Sequence, residues 1–184
     1  MTTLTHPRLR EIAAYLDGVR GTLAGIITGT DRAKLVATPP DGGWSAAQIV
    51  QHLGKVEGAT AKGLEAAFAT ALAVGLGPDP ETGSMLGALD RFTVEDGRVR
   101  RLEAPERLRP ATDADLEASW ASLGAARERM YRAYVGVDGR DLTKVMMPHP
   151  LLGPFHAYEW LLFTGKHEER HVGQLKRTLE ALSA

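Results

Sequence analysis

Cysteine is absent from the 184 residues. Disulfides, thiolate metal ligands and a cysteine nucleophile are thereby excluded. An excess of either charge is missing too. The 22 Lys and Arg residues stand against 23 Asp and Glu, a formal net charge of −1, and no basic block occurs. That balance gives no electrostatic footprint for nucleic acid or for an anionic membrane surface. Long apolar runs are also lacking: the most apolar stretch, residues 66–77, is too short and alanine-rich to span a bilayer. Residues 1–10 carry no apolar signal-peptide core. These absences predict a soluble, cytoplasmic protein with no nucleic-acid or membrane partner. The 43% apolar and 24% charged content is that of an ordinary globular chain rather than a disordered one. The length suits a single domain over residues 1–184.

What is present is helical periodicity. Leu9, Ile12, Leu16, Val19, Leu23 and Ile26 recur at intervals of three and four. Pro7 fits the first turn of that helix, and Thr28-Gly29-Thr30 ends it. Residues 31–43, rich in Pro and Gly, read as a loop. The clearest helix start is W-S-A-A-Q-I at 44–49. Ser45 can cap the amide of Gln48, Gln48 can reach back to Ser45, and Trp44 and Ile49 occupy the positions of a hydrophobic staple. Ile49, Leu53, Val56, Leu64 and Phe68 carry this second helix to about Ala73.

Residues 75–111 show no long helical pattern, which makes them an unusually long connector. Within them, a short hairpin around Asp96-Gly97 and a plain irregular loop are equally open readings. The stretch A-P-E-R-L-R-P at 104–110 reads as extended, because each proline biases its predecessor away from helix. A third helix is expected from a cap at Thr112 through Leu116, Trp120, Leu123, Met130 and Tyr134 to Gly136. A loop with Met146-Met147-Pro148-His149-Pro150 follows. Gly153-Pro154 then opens a fourth helix through Trp160, Leu161, Leu175, Leu179 and Leu182.

No internal repeat appears, and no strand set large enough for a main sheet. Four helices with short, long and short links predict an all-α four-helix bundle. A second helix about 40 Å long can be retraced by the 75–111 connector at up to about 3.3 Å per residue. Helices two and three can then run parallel, in up-down-down-up order.

Chemistry concentrates in histidine. His167 and His171, in G-K-H-E-E-R-H-V-G-Q, are four apart, which puts both imidazoles on one helical face. Two nitrogens on one rigid face can chelate a divalent ion. A third ligand is expected from a facing helix, and His52, between Ile49, Leu53 and Val56, is the best candidate. The bland alternatives are a core histidine at 52 and a solvated pair at 167 and 171, since Glu168, Glu169 and Arg170 make part of that face polar. His6 reads as a solvated residue or helix cap, and His149 as a loop residue in a structural hydrogen bond. His156 lies about 16 Å along the axis from His167, too far to share its ion. Gln174, three beyond His171, reads as a support for the ligands or as a solvent-facing residue.

Four pieces in order resemble the DinB-like superfamily of metal-binding four-helix bundles (DinB/YfiT-like). They are W-S-A-A-Q-I-V-Q-H-L at 44–53, A-P-E-R-L-R-P at 104–110, H-P-L-L-G at 149–153 and E-W-L-L-F-T-G-K-H-E-E-R-H-V-G-Q-L at 159–175. The resemblance implies the up-down-down-up bundle and a three-histidine metal site of His52, His167 and His171. It also brings the family's activities, which include thiol-dependent S-transferases working with low-molecular-weight bacterial thiols and metal-dependent hydrolases. Three imidazoles leave open positions on a divalent ion, the pattern of a catalytic rather than a closed structural site. Zinc, nickel and ferrous iron all suit such ligands. The expected activity is therefore metal-dependent activation of a small thiol or of water, with thiol transfer favoured. A hydrolase and a non-enzymatic metal-binding bundle stand as alternatives. A small-molecule substrate and a homodimer are the expected partners, with residues 75–111 and 146–153 as specificity elements. Residues 168 and 170 receive no catalytic role.

Overall fold

In a computed structural model, which describes residues 4–92, 104–150 and 152–183, four long helices carry most of the chain. They are α1 (Pro7–Gly29), α3 (Ala46–Ala73), α4 (Leu116–Val135) and α5 (Ala157–Ala181), with a short α2 (Arg32–Val36) after the first. The hairpin considered at Asp96-Gly97 lies outside the described residues.

Side-chain pairs give the directions. Along α3 and α4, Glu65 meets Arg129 and Phe68 meets Tyr134 farther on, so these helices are parallel. Tyr15 reaches Glu169 and Arg20 reaches Glu168, while nearer the start of both helices His6 meets Tyr158; α1 and α5 are thus parallel as well. The α3–α5 pair is antiparallel: Trp44 is bonded by Thr178, whereas His52 meets the rings of His167 and His171. The order is up-down-down-up, and the long connector between α3 and α4 makes it possible.

Two glycines allow close approach. A Cβ on Gly54 would sit 3.3 Å from the Leu123 backbone nitrogen, and one on Gly165 would sit 2.6 Å from Tyr15 and Leu16. Their lack of a side chain brings α3 onto α4 and α5 onto α1.

The start of α3 is built as its sequence predicts. Gln48 N donates to Ser45 Oγ at 3.2 Å, and Ser45 N donates to Gln48 Oε1 at 2.9 Å, a complete capping box. Four other boundaries differ from the sequence reading. Residues 31–43 contain α2, capped by Asp31, which accepts from Ala33 N. Residues 104–110 are not wholly extended, since Glu106–Leu108 forms a 3-10 turn. The cap of α4 is Asp115 rather than Thr112: its carboxylate accepts from Ala118 N, within reach of the next turn's amides. Gly153-Pro154 does not open α5. Gly153–His156 forms strand β2, paired antiparallel with β1 (Met146–His149), and α5 begins at Ala157.

The core falls into two apolar clusters. One gathers Leu9, Ile12, Leu16, Ala61, Leu64, Met130, Tyr134 and Leu162; the other gathers Val19, Leu23, Leu53, Leu123, Val172 and Leu175. Between them on each long helix sits one charged side chain: Arg20, Glu57, Arg127 and Glu168. Among the described residues, no helix is long and apolar enough to cross a membrane.

Candidate metal centre

His52 lies two turns beyond the Ser45 cap, on the α3 face turned to α5. His167 and His171 lie one turn apart on the facing stripe of α5. The three rings converge, with centroids 4.6 to 5.3 Å apart. Each offers one ligand nitrogen, and these atoms lie within 4.8 Å of one another. His167 Nε2 and His171 Nε2 are 3.2 Å apart. Among the described residues, no fourth histidine or carboxylate joins the group. The three sequence-predicted site residues are thus brought together, from positions far apart in the chain.

Hydrogen bonds orient two of the rings. His52 Nδ1 lies 2.8 Å from the Leu108 carbonyl oxygen, and His171 Nδ1 lies 2.8 Å from Gln174 Oε1. Both oxygens only accept, so both Nδ1 atoms carry the proton and both Nε2 atoms present lone pairs. This is the usual arrangement around a ligating histidine, where an outer partner fixes the tautomer. Gln174 therefore holds the His171 ring rather than simply facing solvent.

Burial sets the charge state. It pushes His52 below the ordinary imidazole range, although the Leu108 carbonyl works in the other direction. Burial, then the neighbouring His171 and His52, hold His167 well below it. His171 is lowered to about 4, again by burial first and by His52 second. Three neutral imidazoles with converging ring nitrogens are a donor set that can coordinate a divalent ion, and they fit zinc, nickel or ferrous iron. Aromatic rings flank them. Trp44 is 5.0 Å from His52 and stacks at 6.5 Å on His171, while Phe163 stacks at 5.7 Å on His167.

The neighbour of His167 behaves differently from its sequence reading. Glu168 is not on a polar, solvated face; it is 1% exposed. Arg20 Nε and Arg127 Nη2 each donate to it at 2.6 Å. Both arginines also bind Glu57, Arg20 through Nη2 at 3.1 Å and Arg127 through Nε. Burial raises the Glu57 carboxyl, against the pull of Arg127 and Arg20. Burial opposes the charge on Arg127, but Glu57 and then Glu168 more than restore it. The two arginines and two glutamates form a paired, formally neutral layer, within which Arg127 Nη1 is buried without a hydrogen-bond partner among the described residues. Sequence reading missed it, although Glu57 stands between Leu53 and Ala61 on the apolar stripe of α3, a visible signal.

The other histidines lie apart from the cluster. His149 accepts from Leu152 N through Nδ1 at 3.1 Å, the structural bond expected of it. His156 caps α5, accepting from Glu159 N at 3.2 Å. His6 is not solvated: it is the buried N-cap residue of α1, making no side-chain cap bond, with Nε2 3.3 Å from the Asp79 carbonyl oxygen.

Comparison with known proteins agrees with this architecture. A family described as the DinB superfamily matches residues 15–175. The uncharacterized protein YuaE of Bacillus subtilis (strain 168) is 26% identical over 157 residues, covering 85% of this chain and 90% of its own. The crystal structure of TT2238, a four-helix bundle protein, matches with a TM-score of 0.60 at 21% identity, over 91% of this chain and 98% of that one. The last likeness bears on fold alone.

Proposed function

The chain belongs to the DinB superfamily, and on that premise we propose that it is a metal-dependent enzyme acting on a small molecule, with His52, His167 and His171 as the metal ligands. The observation that carries the reading is the convergence of three neutral imidazoles, two with tautomers already fixed for binding through Nε2. A divalent ion held there supplies Lewis acidity at its open positions, enough to acidify water or a small thiol near neutral pH. The chain's own contribution is orientation and shelter. Leu108 and Gln174 hold two imidazoles in register, Trp44 lies against those same two rings, and Phe163 stacks on the third, His167, so that apolar rings lower the local polarity. Without cysteine, any thiol must come from a low-molecular-weight cosubstrate. Transfer of that thiol to a small electrophile is the favoured reaction, by similarity to the thiol-dependent members of the family. A cytoplasmic homodimer of single-domain subunits, with no nucleic-acid partner, completes the reading.

Elemental analysis of protein purified without a histidine tag should give one transition-metal ion per chain, lost in His171→Ala. Apoprotein reconstituted with zinc, nickel or iron should then conjugate a bacterial thiol to a chlorinated or epoxide electrophile, and His52→Ala should abolish it. Cleavage of esters or amides without thiol would replace this reading with a hydrolase. Stoichiometric metal without either reaction would leave a non-enzymatic metal-binding bundle.

A further inference from the structure

The connector reaches the metal centre through its last residues. Pro105 starts the 3-10 turn, closed by Leu108 N donating to Pro105 O at 2.8 Å. Arg109 is then extended, at φ −67 and ψ 142, as a residue before proline should be. The backbone polar groups that follow meet α3. His52 Nδ1 donates to Leu108 O at 2.8 Å, and Lys55 Nζ donates to Arg109 O at 2.7 Å. Ala111 N donates to Gln51 Oε1 at 2.6 Å, and Gln48 Nε2 donates to Ala111 O at 3.1 Å. Gln48 is three and four residues before Gln51 and His52, and Lys55 is four and three after them, so all four share a single helical face. Pro105, Glu106, Arg107 and Arg109 are exposed, so the segment is held mainly by polar bonds rather than by an apolar anchor. Such segments open at low free energy.

We propose that residues 104–111 form a strap whose docking on α3 and whose neighbour's metal binding strengthen each other, with the His52 imidazole as the coupling element. The inference rests on the metal reading above. A neutral imidazole has one ring proton. When Nε2 is a ligand, that proton must reside on Nδ1 and be donated, and Leu108 O is its acceptor. With neither metal nor docked strap, the proton can also sit on Nε2. Nδ1 and the Leu108 oxygen would then face each other with lone pairs, which disfavours docking of the strap. The metal removes that second state. By thermodynamic reciprocity, a docked strap must raise metal affinity by the same factor. The connector between α3 and α4 thereby senses occupancy of the site.

Hydrogen exchange of the intact chain, stripped by a chelator and then given zinc alone, tests this directly. Amides at 108–111 should exchange about tenfold more slowly with zinc. Those near Glu81, whose amide is bonded to Asp79 at the opposite end of the bundle, should not change. The reciprocal arm uses Gln51→Ala with Lys55→Ala, two anchors outside the histidine cluster. Its zinc affinity by calorimetry should fall about tenfold, with the apoprotein's helical circular dichroism unchanged. The wild-type exchange measurement needs no variant, so poor folding of the double substitution would not remove the test. Zinc binding at full stoichiometry with unaltered exchange at 108–111 would overturn the coupling and leave the metal site standing. Absence of zinc binding in the titration would overturn both.

Discussion

The histidine cluster and the arginine–glutamate layer are neighbours that share α3 and α5, yet they solve burial in opposite ways. The layer keeps its charges and pairs them: Arg20 and Arg127 each touch both Glu57 and Glu168. The cluster gives its charges up, because burial disfavours imidazolium, and what remains is neutral rings whose nitrogens face one another. One site pairs its charges internally. The other gathers ring nitrogens that could coordinate a cation. Adjacent positions, His167 and Glu168, thus serve different ends because the helix turns one toward α3 and the other toward the two arginines.

The sharpest way to break the contrast is to unbalance the paired layer. Arg127→Ala leaves Glu57 and Glu168 buried with Arg20 alone, and should destabilise the fold by about 3–5 kcal/mol. Urea unfolding should show this loss whether or not metal is present. Arg127→Met together with Glu57→Leu, which discharges the layer in a balanced way, should cost much less.

The open cluster should respond to metal instead. Zinc at a hundredfold excess over its dissociation constant should stabilise the wild type by about 2.7 kcal/mol, read as a shift in the urea midpoint. His171→Ala should show no such gain while keeping most apoprotein stability. Equal zinc shifts in the two proteins would remove His171 from the ligand set.

Acid should separate the regions further. The unfolded chain takes up protons near the ordinary value of 6.5, whereas folded His171 resists down to about 4. Its contribution to apoprotein stability is therefore complete above 6.5 and is lost as pH falls from there toward 4. The slope is at most about 1.4 kcal/mol per histidine per pH unit. His52 and His167 shift in the same direction. Urea midpoints across pH 7 to 5 should fall less steeply in His171→Ala than in the wild type.

The smallest effect should be indifferent to the contrast. Ser45→Ala removes the cap of α3, the helix that carries both His52 and Glu57, and should cost about 1 kcal/mol with or without zinc. An unchanged midpoint would mean that Ser45 is dispensable as a cap.

These regions were unequally legible in the sequence. The histidines were readable because a rigid helix converts a spacing of four into one face, and because the W-S-A-A-Q start fixes the phase of α3. The same phase would have placed Glu57 inside. The layer escaped notice because its four members are spread over four helices, and no local pattern links Arg20 to Glu168, 148 positions apart. The short α2 escaped because five residues span too few turns to show a period. The β1–β2 hairpin was hidden by its prolines: Pro148 and Pro154 oppose each other in the register, where loop signals overrode pairing. The bonds from residues 108–111 to α3 involve main-chain atoms, which no side-chain pattern records.

The parallel pairing of α1 with α5 has a consequence in time. α5 follows every other described element in the chain, so during synthesis the first four helices leave the ribosome before His167 and His171 exist. His52 then has no ring partners from α5, and Glu57 and the two arginines lack Glu168. Docking of α5 supplies the missing members of both clusters in one event, after the long-range search that makes such contacts slow to form. A metal held by the three histidines would therefore be captured in the last step of assembly rather than at its nucleus, and a chain stalled before α5 should leave the ion in solution.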